Sequence, residues 1–334
     1  MEGPLVGIRA LEVANYLAVP SATALMADMG AQVIKVEPLE GDVYRHAARS
    51  IEFEFDFPIN YAFELDNRGK RSVALDLEKK EAVQVVWRLA ERADVFMTNL
   101  VPRRKERYRL RYEDLSPRNP RLIYLAFSGY GPEGPEKDRL GFDHTAFWAR
   151  SGIMSLLSDP DRPPIDLHSG MGDHTSSPLL LAGVLAALLA RERSGRGQEV
   201  TASLLNMGLW VIGADVQEGL VARREPRRYH RSEAPNPLHN TYRTRDGRWL
   251  NLVMLHTDDS WSRLCKALGR DDLLEVSRYG VLEDRTARSS DLVAELDKTF
   301  GSMTVEELAP RLDDNSIVWA PMQLLSEVFD DPQV

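Results

Sequence analysis

The residues best placed to do chemistry are Asp173 and its neighbours in the stretch SGMGDHTSS, 169–177. A carboxylate among small residues can attack a bound carbonyl as a nucleophile or take a proton as a base. Gly170 and Gly172 permit close backbone approach at that point. A run over 179–190 follows that is too uniformly apolar for a helix with a broad wet face. Ser177 and Pro178 read as N-cap and first helical residue, and Gly195 as a stop after Arg191 and Arg193. A buried helix is therefore expected from Pro178, with Asp173 in the turn before it. Taken alone, this pattern favours a turn cap or an ion-pair partner over a nucleophile.

A second set of residues is cationic. Arg68, Lys70 and Arg71 stand just before an expected strand, and Arg103, Arg104 and Arg107 follow the end of another. Together they could line a mouth for phosphates, although any one arginine is most often a solvated surface charge. The turn Gly129-Tyr130-Gly131 is not a GxGxxG fingerprint, and GxxxxGK[ST] is absent. The histidines are scattered without HExxH spacing, and Cys265 is the only cysteine, so neither a zinc site nor an intrachain disulfide is expected. Ser169, Ser176 and Ser177 lie near His174 without forming a GxSxG elbow.

Strand patterns at 8–13, 33–36, 72–75, 95–98 and 122–127 alternate with helical patterns at 20–29 and 79–93. That alternation predicts an α/β fold with an open, mostly parallel, Rossmann-like sheet, which binds ligands beyond the carboxyl ends of its strands. The sequence divides into a large domain over 1–222, a linker rich in Arg, Pro and His over 223–240, and a small α+β domain over 241–334. A hairpin signal around Asp246-Gly247 opens the small domain, and helical patterns follow at 260–268, 291–300 and 305–313.

The chain has 334 residues, 43% hydrophobic and 28% charged, as expected of a soluble globular protein. Its formal net charge of -9 argues against nucleic acid as the main partner. The N-terminus lacks the basic-then-apolar pattern of a signal peptide. The apolar run over 178–190 is short for a bilayer, so no membrane partner and a cytoplasmic location are expected.

Several segments in one order now carry a resemblance: LVGIRALEVANYLAVPSATALMADMGAQVIKVEPLEGDVYR, DNRGKRSVALDL, ADVFMTNLVPRR, NPRLIYLAFSGYGPEGP, GDHTSS and RERSGRGQEVTASL. With them the chain resembles the family III coenzyme A transferases, of the formyl-CoA and carnitine-CoA transferase type, from Leu5 to its end. The resemblance implies an enzyme that moves coenzyme A from an acyl-CoA to a carboxylic acid, with no prosthetic group. Asp173 falls on the family's catalytic aspartate, which forms an aspartyl-acyl anhydride. Lys70, Arg71, Asn99, Arg107, Tyr130 and Gly172 fall on or beside segments that hold the coenzyme. Backbone N–H groups around 172–174 or 129–131 would serve as oxyanion donors. A homodimer of interlocked chains is also implied.

The sequence departs from the family where Ser177 stands for a common glycine, and where 224–242 lacks the glycines of a lid loop. It also ends at DDPQV, where family members continue, which implies a chain short at its C-terminus. The related α-methylacyl-CoA racemases carry histidine in a Gly-His-Asp segment. Phe142 occupies that position here, in Gly141-Phe142-Asp143-His144, which favours transfer over racemisation. A catalytically idle CoA-binding protein is the non-enzymatic alternative. Phe142, Phe147 and Trp148 fit an apolar or aromatic acyl pocket and fit ordinary helix packing equally well.

Overall fold

The strands β1 (Arg9–Val13) and β2 (Gln32–Glu37) pair in parallel around helix α1 (Ala18–Asp28), as the first crossover pattern requires. These come from a computed structural model that describes residues 3–47, 59–159, 161–165, 168–255, 257–274 and 276–334. Short helices α2 (Tyr44–Ala47) and α3 (Tyr61–Asn67) precede β3 (Arg71–Ala74). Helix α4 (Lys80–Ala90), strand β4 (Val95–Thr98), helices α5 (Pro102–Arg107) and α6 (Tyr112–Leu115), and strand β5 (Ile123–Ser128) follow. A π-helical segment, Asp143–Ala149, and α7 (Ile153–Leu157) lead to the long helix α8 (Met171–Ser194). Strand β6 (Glu199–Ser203) and helices α9 (Leu204–Val211) and α10 (Gly213–Ala222) complete this part.

The parallel sheet runs β3-β2-β1-β4-β5-β6, so the crossovers reverse direction between β1 and β4. That reversal opens a crevice at the carboxyl ends of these two strands, the usual ligand position in open α/β sheets. Across it, the Asn15 N–H donates to Asn99 Oδ1 at 3.0 Å and Asn99 Nδ2 donates to the Asn15 carbonyl at 2.7 Å. Side chains alternate between the two faces of the sheet. Ala10, Val33, Met97 and Leu125 pack under α1 and α8, while Leu11, Val36, Phe96 and Tyr124 pack under α4.

Helix α8 begins at Met171, seven residues before the start expected from Pro178. Pro178 sits inside it, where it removes one backbone donor. The first turns are held in other ways. Thr175 Oγ1 donates to the Met171 carbonyl, Ser176 Oγ to that of Gly172, and Ser177 Oγ to those of Asp173 and Ala18. Asp173 thus lies in the first helical turn rather than before it. By length and composition alone α8 could cross a membrane, but Leu180, Leu181, Val184 and Leu188 belong to the core beneath it.

The chain divides into two compact units, Met1–Ser158 with Pro163–Pro226, and Asp159–Arg162 with Arg227–Val334. In the second, an antiparallel sheet pairs His239–Arg243 with Trp249–Val253, and the latter with Trp319–Pro321. Its core gathers Tyr242, Leu250 and Leu252 against helical residues such as Leu264, Leu296, Phe300 and Leu308. The first strand starts at His239, inside the stretch expected to be linker.

Behind the crevice lies a buried ion cluster. Lys35 Nζ meets Glu12 Oε1 at 2.5 Å and Asp42 Oδ2 at 2.8 Å, and Lys70 Nζ meets Glu12 Oε2 at 2.8 Å. Lys70 also donates to the carbonyls of Pro20 and Asp66 and to Asn67 Oδ1. Burial by itself would raise the Glu12 pKa, but the ammonium groups of Lys35 and Lys70 hold it below the usual carboxylate value. Breaking such a pair leaves an uncompensated buried charge. Lys70→Met is therefore expected to lower the unfolding free energy by about 3 kcal/mol, from the typical cost of removing one partner of a buried pair. Urea denaturation checks this, and a change below about 1 kcal/mol, the value of an exposed pair, would remove the cluster from the account.

Candidate active site

Asp143 opens the π-helical segment and is 5% exposed. Its Oδ2 accepts from the Gly170 N–H at 2.7 Å and its Oδ1 from the Gly172 N–H at 3.1 Å. Gly170 has φ +88, and a Cβ on Gly172 would stand 2.2 Å from Asp143 Oδ1 and 2.4 Å from Phe147 Cγ. Only glycine allows this approach at 172, so the carboxylate and the helix N-terminus lock together. Asp173 follows directly on that turn.

Asp173 borders two clefts. One, of about 580 Å³, is lined by Asn15, Asn99, Gly129 and Gly131 at the strand ends, by the cations Arg104, Lys105, Arg111, Lys137 and Arg139, and by the carboxylates Glu113, Asp138 and Glu199. The other, of about 740 Å³, is lined by Leu17, Pro38, Val43, His46, His144 and Ser169. Tyr16 and Phe142 border both clefts, with their rings edge to face at 5.4 Å. Tyr16 takes this position with φ +64, a conformation rare outside glycine, and its N–H reaches Asp42 Oδ1 at 3.3 Å. The ion cluster that holds Asp42 therefore also positions the divider.

Electrostatics single out Asp173. Burial first, and then the charges of Asp143 and Asp66, raise its pKa to about 7, while His174 and His144 pull it down. His174 is itself raised, chiefly by its bond to Asp66, whose Oδ1 lies 2.9 Å from Nε2. Ser21 Oγ also donates to that Oδ1. A carboxylate with a raised pKa is more basic and a stronger nucleophile once ionised.

The expected coenzyme residues fall in different places. Asn99 lines the first cleft while clasping Asn15, and Gly172 shapes the turn that carries Asp173. Arg107 is ion-paired with Glu78 and is not among the cleft residues. The ammonium of Lys70 is buried in the ion cluster with its donors committed, and Arg71 is exposed at the start of β3, away from the clefts. The Tyr130 ring packs against the core under α8 and Arg139, while the glycines on either side of it face the cleft. Phe147 and Trp148 are buried in that same core, so Phe142 alone of the three aromatics borders the clefts.

Sequence reasoning missed Lys137 and Arg139, which follow β5 at a distance, and missed the grip of Asp143 on α8. Lys105 and Arg111 lay in a recognisably basic stretch, but only α5 and α6 decide which of its side chains turn toward the cleft. Phe142 stands where a racemase would carry its histidine, so that point holds a ring without a proton to exchange.

Residues 5–334 match the family described as CoA-transferase family III. The chain belongs to that family. It is 30% identical over 329 residues to the (R)-2-hydroxy-4-methylpentanoate CoA-transferase of Clostridioides difficile, covering 98% of this chain and 82% of that protein. It is 31% identical to the succinate–glutarate CoA-transferase of Agrobacterium fabrum, covering 99% and 83%. Among solved structures it is similar to Rv3272 of M. tuberculosis, with a TM-score of 0.87 and 30% identity over 99% of this chain and 87% of that one. It is also similar to a CAIB/BAIF family protein of Brucella suis, with a TM-score of 0.86 and 29% identity. As a family III CoA-transferase, the chain is an enzyme whose substrates include a CoA thioester.

The raised pKa of Asp173 has a stability consequence. Its folded pKa of about 7 lies above the usual value near 3.8, so the folded state binds more protons between these limits and stability falls as pH rises through that window. Asp173→Asn removes this loss. The variant should gain melting temperature over wild type at pH 8 and gain little at pH 4, as scanning calorimetry can measure. An equal gain at both values would contradict the assigned titration.

Proposed function

We propose that the enzyme transfers coenzyme A from an acyl-CoA to a carboxylic acid through covalent catalysis by Asp173. The observation that carries this reading is the position of Asp173: a carboxylate whose pKa is raised to about 7 borders both a cleft that carries several cations and a second, largely apolar cleft. Arg104, Lys105 and Lys137 in the first cleft suit the phosphates of the coenzyme, in place of the Lys70 and Arg71 expected from sequence, while Arg111 is paired with Glu113 and Asp114. The Arg107 and Tyr130 assignments are replaced in the same way by neighbours that face the cleft. Asn99 and Gly172 keep their places as a cleft wall and a helix-turn residue.

In this mechanism the ionised Asp173 attacks the thioester carbonyl, the carbon–sulfur bond breaks, and the CoA thiolate leaves. A mixed aspartyl-acyl anhydride remains. The acceptor carboxylate attacks the aspartyl carbonyl, releasing the donor acid and forming a second anhydride. The thiolate then attacks the acyl carbon of the acceptor, giving the new thioester and freeing Asp173. No water and no net proton is consumed, and the Gly131 N–H already donates to Ser128 Oγ at 3.0 Å, so it is not a free oxyanion donor. The acid side chain would lie against Leu17, Val43 and Phe142 in the second cleft, which suits an apolar group. The relative named for (R)-2-hydroxy-4-methylpentanoate acts on an acid of that kind, and the one named for succinate and glutarate acts on dicarboxylic acids.

Asp173→Ala should abolish transfer while leaving CoA affinity within a few-fold, because the carboxylate forms the anhydride and is not the phosphate anchor. Retention of more than a few per cent of the wild-type rate, in an acyl-exchange assay, would overturn the assignment.

The same reading includes a cytoplasmic homodimer, with the interlocked form resting on the family resemblance. It is supported by an apolar face on α8, where Leu179, Leu185 and Leu189 are exposed, and by Trp210 and Val221, 78% and 82% exposed. Light scattering over a dilution series should return twice the chain mass, and a monomer at micromolar concentration would contradict the dimer.

A further inference from the structure

Asp143 has no assigned role in the transfer reaction, yet it is a buried carboxylate beside the nucleophile. We infer that Asp143 is a positioning residue for Asp173: by accepting the N–H groups of Gly170 and Gly172, it fixes the first turn of α8 and withholds those donors from the nucleophile. The inference deepens the covalent reading and rests on it for the role of Asp173.

The geometry is specific. The start of a helix presents free N–H groups that stabilise a nearby carboxylate and reduce its basicity. Here two such groups already meet the two oxygens of Asp143, at 2.7 and 3.1 Å. The fit is so close that residue 172 cannot carry a Cβ, since it would lie 2.2 Å from Asp143 Oδ1. The helix N-terminus is thus neutralised by a carboxylate that does not react. Asp173, one residue farther on, is acted on by burial and by charge rather than by hydrogen bonds. Among the described residues, the titratable groups around it are Asp143 and His144 of the π-helical segment, Asp66 of α3, Tyr44 of α2 and His174 of α8 itself. Of these, Asp143 contributes the largest charge effect, and its sign favours the basic, reactive form. Asp143 also opposes any rotation of the turn, because both of its oxygens are held by backbone.

The test compares Asp143→Asn with wild type. The amide has similar volume, lacks the charge, and can accept from only one of the two N–H groups. Acyl exchange should slow by roughly ten-fold or more with CoA affinity unchanged, since a small displacement of the nucleophile is costly. The acid limb of kcat/KM should move to lower pH by about half a unit or more, because a like charge beside Asp173 is gone. A residue that only stabilised the fold would reduce the active fraction and leave the limb where it was. The limb position does not depend on how much protein is folded, so partial unfolding does not obscure the answer. The same shift can be read without turnover, by infrared titration of the Asp173 carboxylate in Asp143→Asn, referenced to the double variant that also carries Asp173→Asn. An unchanged limb and an unchanged titration would overturn the inference, as would loss of CoA affinity at full turnover rate. If Asp173→Ala proved active, the covalent reading would fail, while the infrared titration would still decide whether Asp143 sets the ionisation of Asp173.

Discussion

The packing of Asp143 into the start of α8 is the constraint on which the site depends. A buried carboxylate needs donors, and the first turn of a helix has donors to spare. Joining the two satisfies both, but only if the helix brings no side chain to the contact, and Gly172 meets that condition. Phe147 closes the same contact from the other side, so the π-helical segment and α8 are docked by one charge and one ring. Asp173 inherits its place from this joint. It is presented by a turn that cannot rotate, against a carboxylate that raises its basicity.

A second rigid element lies at the back of the crevice. Glu12 on β1 and Lys35 on β2 face each other beneath α1, and Asp42 and Lys70 bring two loops to the same point. A buried pair of this kind contributes little net stability over an apolar substitute, yet losing one member is costly. Its value here is geometric. Asp42 receives the N–H groups of Tyr16 and Tyr44, so the cluster holds Tyr16 in its unusual backbone conformation between the clefts. The nucleophile and the divider are therefore set by separate networks that converge on the reversal point of the sheet.

Much of this was legible in the sequence. The β-α alternation gave the parallel sheet, and the glycines around Asp173 marked a close approach, because both signals are local. The start of α8 was misplaced because Ser177-Pro178 has the chemistry of a helix start, while the hydroxyls of Thr175, Ser176 and Ser177 carry the helix through it. Lys70 and Arg107 looked like phosphate ligands because a charge before a strand or after one has no direction in sequence. Their partners, Glu12 and Glu78, are 58 and 29 positions away in the chain, the first across a bonded pair and the second across an ion pair. Asp143 was invisible as a helix clamp for the same reason: its partners are 27 and 29 residues distant. Long-range polar pairing is what sequence periodicity does not report.

The central claim is that Asp173 joins covalently to the acyl group, and the fate of one oxygen atom tests it most directly. When the acceptor acid carries heavy oxygen in its carboxylate, one labelled atom bridges the second anhydride. That atom stays on Asp173 when the thiolate removes the acyl group. Mass spectrometry of the peptide containing Asp173 after turnover should show a single heavy oxygen on that side chain, matched to product formed in a single-turnover experiment. Product formation with no label on the enzyme would mean that the acyl group never passed through Asp173, and would contradict the account.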